Sequence, residues 1–244
     1  MRVYYDLHLH SCLSPCADDG MTPNNIVNMA LLLGYDMIAV TDHNSCRNIP
    51  AAVRAGEANG LTVVPGMELC TAEEAHVICL FPTVEAALGF DRFVSERMPP
   101  VKNRPEIFGK QTVMDENDNV TGREDILLLN AAAIGVNSVR ETVRRFGGTA
   151  FPAHVDRSAY SVLANLGGIP PEAGFTAAEI SAKGNVPALL KQHRELAEMT
   201  LLFNSDAHTL EGMPDRNALV VLPEKSPQCL IAALEEKTDA IWFH

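Results

Sequence analysis

Short apolar runs that end in polar tips recur along the chain. Val3-Tyr4-Tyr5 leads into Asp6-Leu7-His8-Leu9-His10, which reads as the end of a first strand. Side chains alternate faces along a strand, so His8 and His10 are expected to share one face with Asp6, while Leu7 and Leu9 face the other way. Thr22-Pro23 has the form of an N-cap followed by proline in the first helical turn. Ile26, Val27, Met29, Ala30 and Leu33 supply the apolar stripe, and Gly34 the stop. The run 37–41 is apolar enough for a strand buried on both faces, and it delivers Asp42-His43-Asn44. A helix over about 50–59, closed by Gly60, precedes a strand at 61–64 that leads to Pro65-Gly66-Met67-Glu68; residues 76–81 form a further strand. This rhythm predicts right-handed βαβ units, whose functional groups gather at the carboxyl ends of the strands.

From about 92 to 135 the rhythm breaks. Pro99-Pro100, Pro105, the turn-like Asp115-Glu116-Asn117-Asp118-Asn119 and Gly122 separate short apolar patches. The stretch is expected to be an insertion over one barrel mouth, with a small hairpin at about 112–121, or else a surface excursion. Alternation resumes with a helix near 138–146, a strand at 149–153 ending at His154, a weaker strand at 177–180 and a helix near 187–197. A strand at 200–204 then delivers Ser205-Asp206-Ala207-His208, and strands at 218–222 and 240–243 flank a helix at 227–236. No linker divides the chain, so residues 1–244 are expected to form a single barrel domain.

Composition adds limits. A hydrophobic fraction of 47% suits a sizeable core, no apolar run reaches membrane length, and Met1-Arg2 leads straight into a strand. A cytoplasmic protein that engages no membrane is therefore expected. The formal net charge of -12 offers no basic footprint, so long nucleic acid is not expected as a partner. The six cysteines show no CxxC spacing and read as small buried hydrophobes, with Cys12 and Cys16 noted for lying near the opening motif.

The histidines change the picture. His8, His10, His43, His76, His154 and His208 fall at predicted strand ends with Glu68 and Asp206, and they are six of the eight histidines in the chain. Imidazole mixed with carboxylate suits zinc, manganese or iron better than calcium or magnesium. Eight donors exceed the capacity of one ion, so at least two divalent ions are expected, with Glu68 bridging. Such a site generates a bridging hydroxide near neutral pH and neutralises phosphoryl charge, which points to hydrolysis.

Asp6-Leu7-His8-Leu9-His10-Ser11, Thr41-Asp42-His43, Pro65-Gly66-Met67-Glu68, Ala153-His154 and Ser205-Asp206-Ala207-His208 together resemble the motifs of the PHP (polymerase and histidinol phosphatase) superfamily. The resemblance implies an α/β fold, a distorted (β/α)7 barrel, with up to three metal ions and phosphoesterase activity. It implies one ion held by His8, His10, Glu68 and Asp206, a second by Glu68, His76 and His154, and a third by His43, His208 and a residue of the loop after the first strand. Family members use histidine or aspartate there. This chain has no histidine between 11 and 42, so Asp18 is the candidate and Asp19 the next. Asp6 and Asp42 read as groups that orient ligand imidazoles, or as turn formers.

The expected activity is hydrolysis of a small phosphomonoester or phosphodiester, a nucleotide or phosphorylated metabolite. Glu68, Asp206, His208 and Arg157 would carry catalysis, with Arg157, Arg47 and Lys183 as candidate phosphate contacts. Histidinol-phosphate phosphatase is one alternative within the family. A metal-binding regulatory module without turnover is another, of a different class.

Overall fold

The computed structural model describes residues 1–181, 184–235 and 240–243. In chain order the elements are β1 (Arg2–Leu9), α1 (Pro23–Leu32), β2 (Met37–Val40), α2 (Ile49–Asn59), β3 (Thr62–Cys70), β4 (His76–Leu80), α3 (Val84–Ser95), α4 (Pro105–Phe108), β5 (Thr112–Met114) and β6 (Val120–Arg123). They continue with α5 (Val136–Arg145), β7 (Thr149–Pro152), α6 (Val162–Leu166), β8 (Ala177–Ser181), α7 (Val186–Gln192), β9 (Thr200–Asn204), β10 (Leu219–Val221), α8 (Pro227–Glu235) and β11 (Ile241–Phe243). Local signals account for many of the boundaries. The Thr22 hydroxyl accepts the N–H of Asn25 to cap α1, and Gly60 ends α2 in the left-handed conformation at φ 78°.

One curled sheet runs in the order β11-β10-β1-β2-β3-β4-β7. The parallel pair β8-β9 lies between its two sides. Val155, just after β7, donates its N–H to Glu179 of β8, and Leu9 of β1 bridges to Ala207, just after β9. β1, β2, β3, β4, β7, β8 and β9 thus curl around a common interior as a distorted barrel, with β10 and β11 antiparallel beside the start of β1. Val3, Tyr5, Met37, Val64, Ile78, Leu80, Phe151, Ala177 and Leu202 fill that interior. Leu230, Ala233 and Leu234 of α8 join them, at the end where Thr149 and Thr176 start their strands. A second apolar layer joins the outer face of the strands to α1, α2, α3 and α5.

Two departures from the expected pattern position the site. β4 is antiparallel to both β3 and β7, not the next parallel strand of a βαβ unit. Residues 71–75 are too few for a crossover, which takes about a dozen residues. His76 therefore sits at the beginning of β4, and the reversal still brings it level with the end of β3. Second, β1 shifts register against β2 between Asp6 and Leu9. A bulge reverses the inward-outward alternation. Val3, Tyr5 and Leu7 face the interior before it and Leu9 faces the outer layer after it, so His8 and His10 turn inward while Asp6 does not share their face.

The stretch 92–135 begins inside α3, a helix capped by Thr83 that the sequence reading lacked. α3 climbs from the α8 end, residues 97–134 run along the opposite end, and α5 descends again. The β5-β6 hairpin is present there. Thr112 donates its N–H to Cys12 O, Asn44 donates to the carbonyls of Leu128 and Asn130, and Ala132 donates to Cys70 O.

Candidate metal centre

At the barrel end that receives β1, β2, β3, β7 and β9, five imidazoles converge on Glu68. Its carboxylate lies 3.3 Å from His8 Nε2, 3.3 Å from His10 Nε2, 2.9 Å from His43 Nδ1, 2.9 Å from His76 Nδ1 and 3.1 Å from His154 Nε2. Asp206 Oδ1 adds contacts of 3.1 Å to His8 Nε2 and 3.0 Å to His10 Nε2. His208 joins from the far side, its ring centroid 4.1 Å from that of His10. Two of the chain reversals that aim these groups are strained: His154 has φ 28° and Asp206 φ 53°, a region non-glycine residues enter at a cost and often at functional sites.

The donor set fits divalent ions. Ligand atoms about 2.1 Å from one ion stand roughly 3.0–3.4 Å apart, which is the spacing of His8, His10, Glu68 and Asp206. Those residues form one group able to hold an ion, with His43, Glu68 and His76 a second and His10, His43 and His208 a third. His43 thus joins Glu68 and His76 in the second group, where the resemblance implies His154. Among the described residues six buried side-chain polar atoms make no well-aligned hydrogen bond, and four are here: His43 Nδ1, Glu68 Oε2, His154 Nδ1 and Asp206 Oδ1, of which His43 Nδ1, Glu68 Oε2 and Asp206 Oδ1 have only ion-pair contacts. Orphaned polar atoms buried together are costly unless a cation supplies what they lack.

The buried carboxylates favour protonated imidazoles at His8, His10 and His43. Burial would lower His10 and His43, but Asp206 and Glu68 beside His10, and Glu68 beside His43, hold both up at about 9. His8 is likewise raised, burial being outweighed by Glu179, Asp206 and Glu68. Glu68 and Asp206 stay far below the usual carboxylate range because the surrounding imidazoles overcome their burial. His208 is pushed down to about 3 by burial and by charge on His10, so it is neutral, as a ligand must be.

A second layer fixes the rings. Glu179, on β8 and 1% exposed, accepts from His8 Nδ1 with both oxygens at 3.0 Å, and takes the His154 N–H at 2.9 Å and Asn204 Nδ2 at 2.7 Å. The sequence reading did not single it out. The one signal was a lone carboxylate inside the apolar run Ala177-Ala178-Glu179-Ile180. Asp42 acts through Ser14: His10 Nδ1 donates to Ser14 Oγ at 2.9 Å, and Ser14 Oγ donates to Asp42 Oδ1 at 2.6 Å. Asp6 instead accepts backbone N–H groups of His8 and Ser205, the turn-forming alternative.

The loop and the basic residues differ from expectation. Asp18 is exposed and its Oδ1 accepts the N–H of Gly20, while Asp19 pairs with Lys110, so neither carboxylate is gathered into the cluster. Cys16 is the loop residue that lines the cleft, near enough to His43 to favour its charged form. Arg157 lines the same cleft, 2.5 Å from Asp206 Oδ2. Arg47 is paired with Glu124 at 3.1 Å and borders a separate pocket with Asp91 and Leu128. Lys183 lies outside the described residues. The cleft itself, about 700 Å³, is bounded by His43, His76, His154, His208, Arg157, Tyr160 and Leu129.

A curled α/β barrel with a histidine-carboxylate centre at one end defines a class of metal-dependent hydrolases. The chain belongs to the PHP domain family, whose model matches residues 6–208. Over 78 residues it is 37% identical to the 5'-3' exoribonuclease Rnm of Salmonella typhimurium, a match covering 31% of this chain and 26% of that protein. The lesion-specific endonuclease PfuEndoQ of Pyrococcus furiosus superposes with TM-score 0.71 at 18% identity, over 99% of this chain and 58% of that one. A Bifidobacterium adolescentis protein described as a metal-dependent phosphoesterase gives TM-score 0.58 at 18% identity, over 86% and 89%. The chain thus spans about a quarter of the exoribonuclease and just over half of the endonuclease.

These findings overturn the expectation that long nucleic acid is excluded, since an exoribonuclease and a DNA-lesion endonuclease stand among the similar proteins. The charge argument fails because -12 is a sum over the whole surface, whereas a strand end responds to the local field, which cations in the centre would reverse. No helix among the described residues is long and apolar enough to cross a membrane.

Proposed function

We propose that the chain hydrolyses nucleotide phosphoesters, taking a phosphoester at the end of a nucleic-acid strand into the cleft, with two or three zinc, manganese or iron ions. The observation that carries this reading is Glu68, a single buried carboxylate within 3.3 Å of five imidazoles, with Arg157 on the rim above it. His8, His10, Glu68 and Asp206 would hold one ion. Glu68, His76 and His43, with His154 alongside, would hold another; His208, His43 and His10 offer a third place.

Bound ions would neutralise phosphoryl charge and make water acidic enough to attack near neutral pH. The chain's own groups do the rest. Glu179 fixes the His8 tautomer, leaving Nε2 free to ligate, and Ser14 does the same for His10. Arg157, half exposed, can fork onto non-bridging oxygens while staying anchored at Asp206. The segment 97–134 walls the cleft through Leu129.

The test is to load the protein with manganese or zinc and present labelled single-stranded RNA and DNA, a duplex, and a panel of phosphorylated metabolites. Stepwise release of nucleotides from a strand end, abolished by His8→Ala, is expected. Turnover of small metabolites alone, or activity undiminished in His8→Ala, would overturn the reading.

A further inference from the structure

One aromatic ring in the cleft has no part in the chemistry described so far. Tyr160 follows Arg157 in the loop between β7 and α6 and lines the cleft beside the centre. Its backbone is left-handed at φ 54°, an unfavourable conformation for a bulky residue, and the His76 N–H donating to its carbonyl at 2.9 Å holds it there. The result is a specific placement of the ring. It stacks on the His76 imidazole with centroids 4.9 Å apart and planes 22° apart, yet the residue remains 52% exposed. Leu129 and Ala159 line the same cleft.

A strained loop that presents a half-open aromatic ring next to a phosphoryl site is suited to a ligand with a flat ring joined to its phosphate. Stacking tolerates any base, because every base has a π face. We infer that Tyr160 is the stacking platform for the nucleobase adjoining the scissile phosphate, so that the site selects nucleotide units over sugar phosphates and other non-aromatic phosphoesters. This deepens the nucleotide reading above and rests on it.

The probe is a 5′-phosphorylated tetranucleotide with 2-aminopurine as its first base, titrated into metal-loaded protein and followed by base fluorescence, together with the same strand carrying an abasic first residue. The intact protein should quench the fluorescence; Tyr160→Phe should retain the quenching and Tyr160→Ala should lose it. In turnover, Tyr160→Ala should raise KM for the base-bearing strand by about tenfold with kcat within about twofold, and should leave the abasic strand unchanged. Metal content measured by plasma emission guards against a purely structural role. Tyr160→Leu, which still covers His76 but has no π face, should keep its metal and lose the quenching.

Absence of quenching in the intact protein, quenching that survives in Tyr160→Ala or Tyr160→Leu, metal loss in both variants, or equal damage on the abasic strand would each overturn the inference. Quenching that follows this pattern without turnover of any phosphoester would sink the hydrolytic reading and leave the stacking site standing.

Discussion

Glu179 meets His8 with both carboxylate oxygens 3.0 Å from Nδ1, inside the barrel and out of reach of solvent. The pair turns an otherwise ambiguous imidazole into one with a defined tautomer. Glu179→Gln keeps the shape but removes the charge and one acceptor. Metal affinity should fall by about 10–100-fold, read by titration against a chelating dye, with the far-ultraviolet spectrum unchanged. An unaltered affinity would show that Glu179 only supports the fold.

Glu68 has a wider reach. Because its two oxygens serve several imidazoles at once, Glu68→Gln should cost more than loss of any single histidine. Fewer than two ions per chain by plasma emission, and at least a hundredfold loss of kcat/KM, are expected. His154→Ala, at the edge of the cluster, should retain more metal than Glu68→Gln.

Removal of metal should expose the proton balance. In the chelated protein His10 and His43 titrate at about 9 against an ordinary 6.5. A histidine raised in the folded state stabilises it fully below 6.5 and ceases to do so as pH rises through the folded value. The thermal midpoint of the chelated protein should therefore fall between pH 7 and pH 9. Metal-loaded protein should not show that fall, since ligation needs the imidazoles neutral and affinity strengthens as protons leave. Scanning calorimetry with and without chelator checks both slopes.

The cysteines should separate by reactivity. Cys16 is exposed in the cleft, whereas Cys12, Cys46, Cys70 and Cys79 are buried, and burial pushes the thiol of Cys70 up to about 12. A thiol-reactive chromophore should label Cys16 fastest, Cys229 more slowly, and the buried four only on unfolding. Metal should slow the labelling of Cys16, which lies beside His43.

Much of this was legible in the chain because short-range chemistry wrote it. The strand tips carrying His8, His43, Glu68, His154 and Asp206 stand out as polar groups after apolar runs, and the caps at Thr22 and Gly60 mark helix ends. What escaped depends on relations between segments. The bulge in β1 leaves the alternation of Asp6-Leu7-His8-Leu9-His10 looking regular, although it decides that Asp6 turns away. Glu179 has no motif around it, and its partner lies 171 positions earlier in sequence. The direction of β4 could have been read from the short gap between Cys70 and His76, and α3 from the spacing of Ala87, Phe90 and Val94 on one helical face. Asp18 has the residue type a third site calls for, but the loop geometry gives the cleft-lining position to Cys16.

The reversal of β4 also separates two kinds of information in the chain. Because β4 points away from the centre and β7 returns toward it, everything from α3 to α5 is anchored at the far end and reaches the centre only as an excursion. Among the described residues that excursion contributes Leu129 and none of the six convergent histidines to the cleft. The wall therefore supplies no histidine of its own but braces one from outside, since Asn44, next to His43, holds the carbonyls of Leu128 and Asn130.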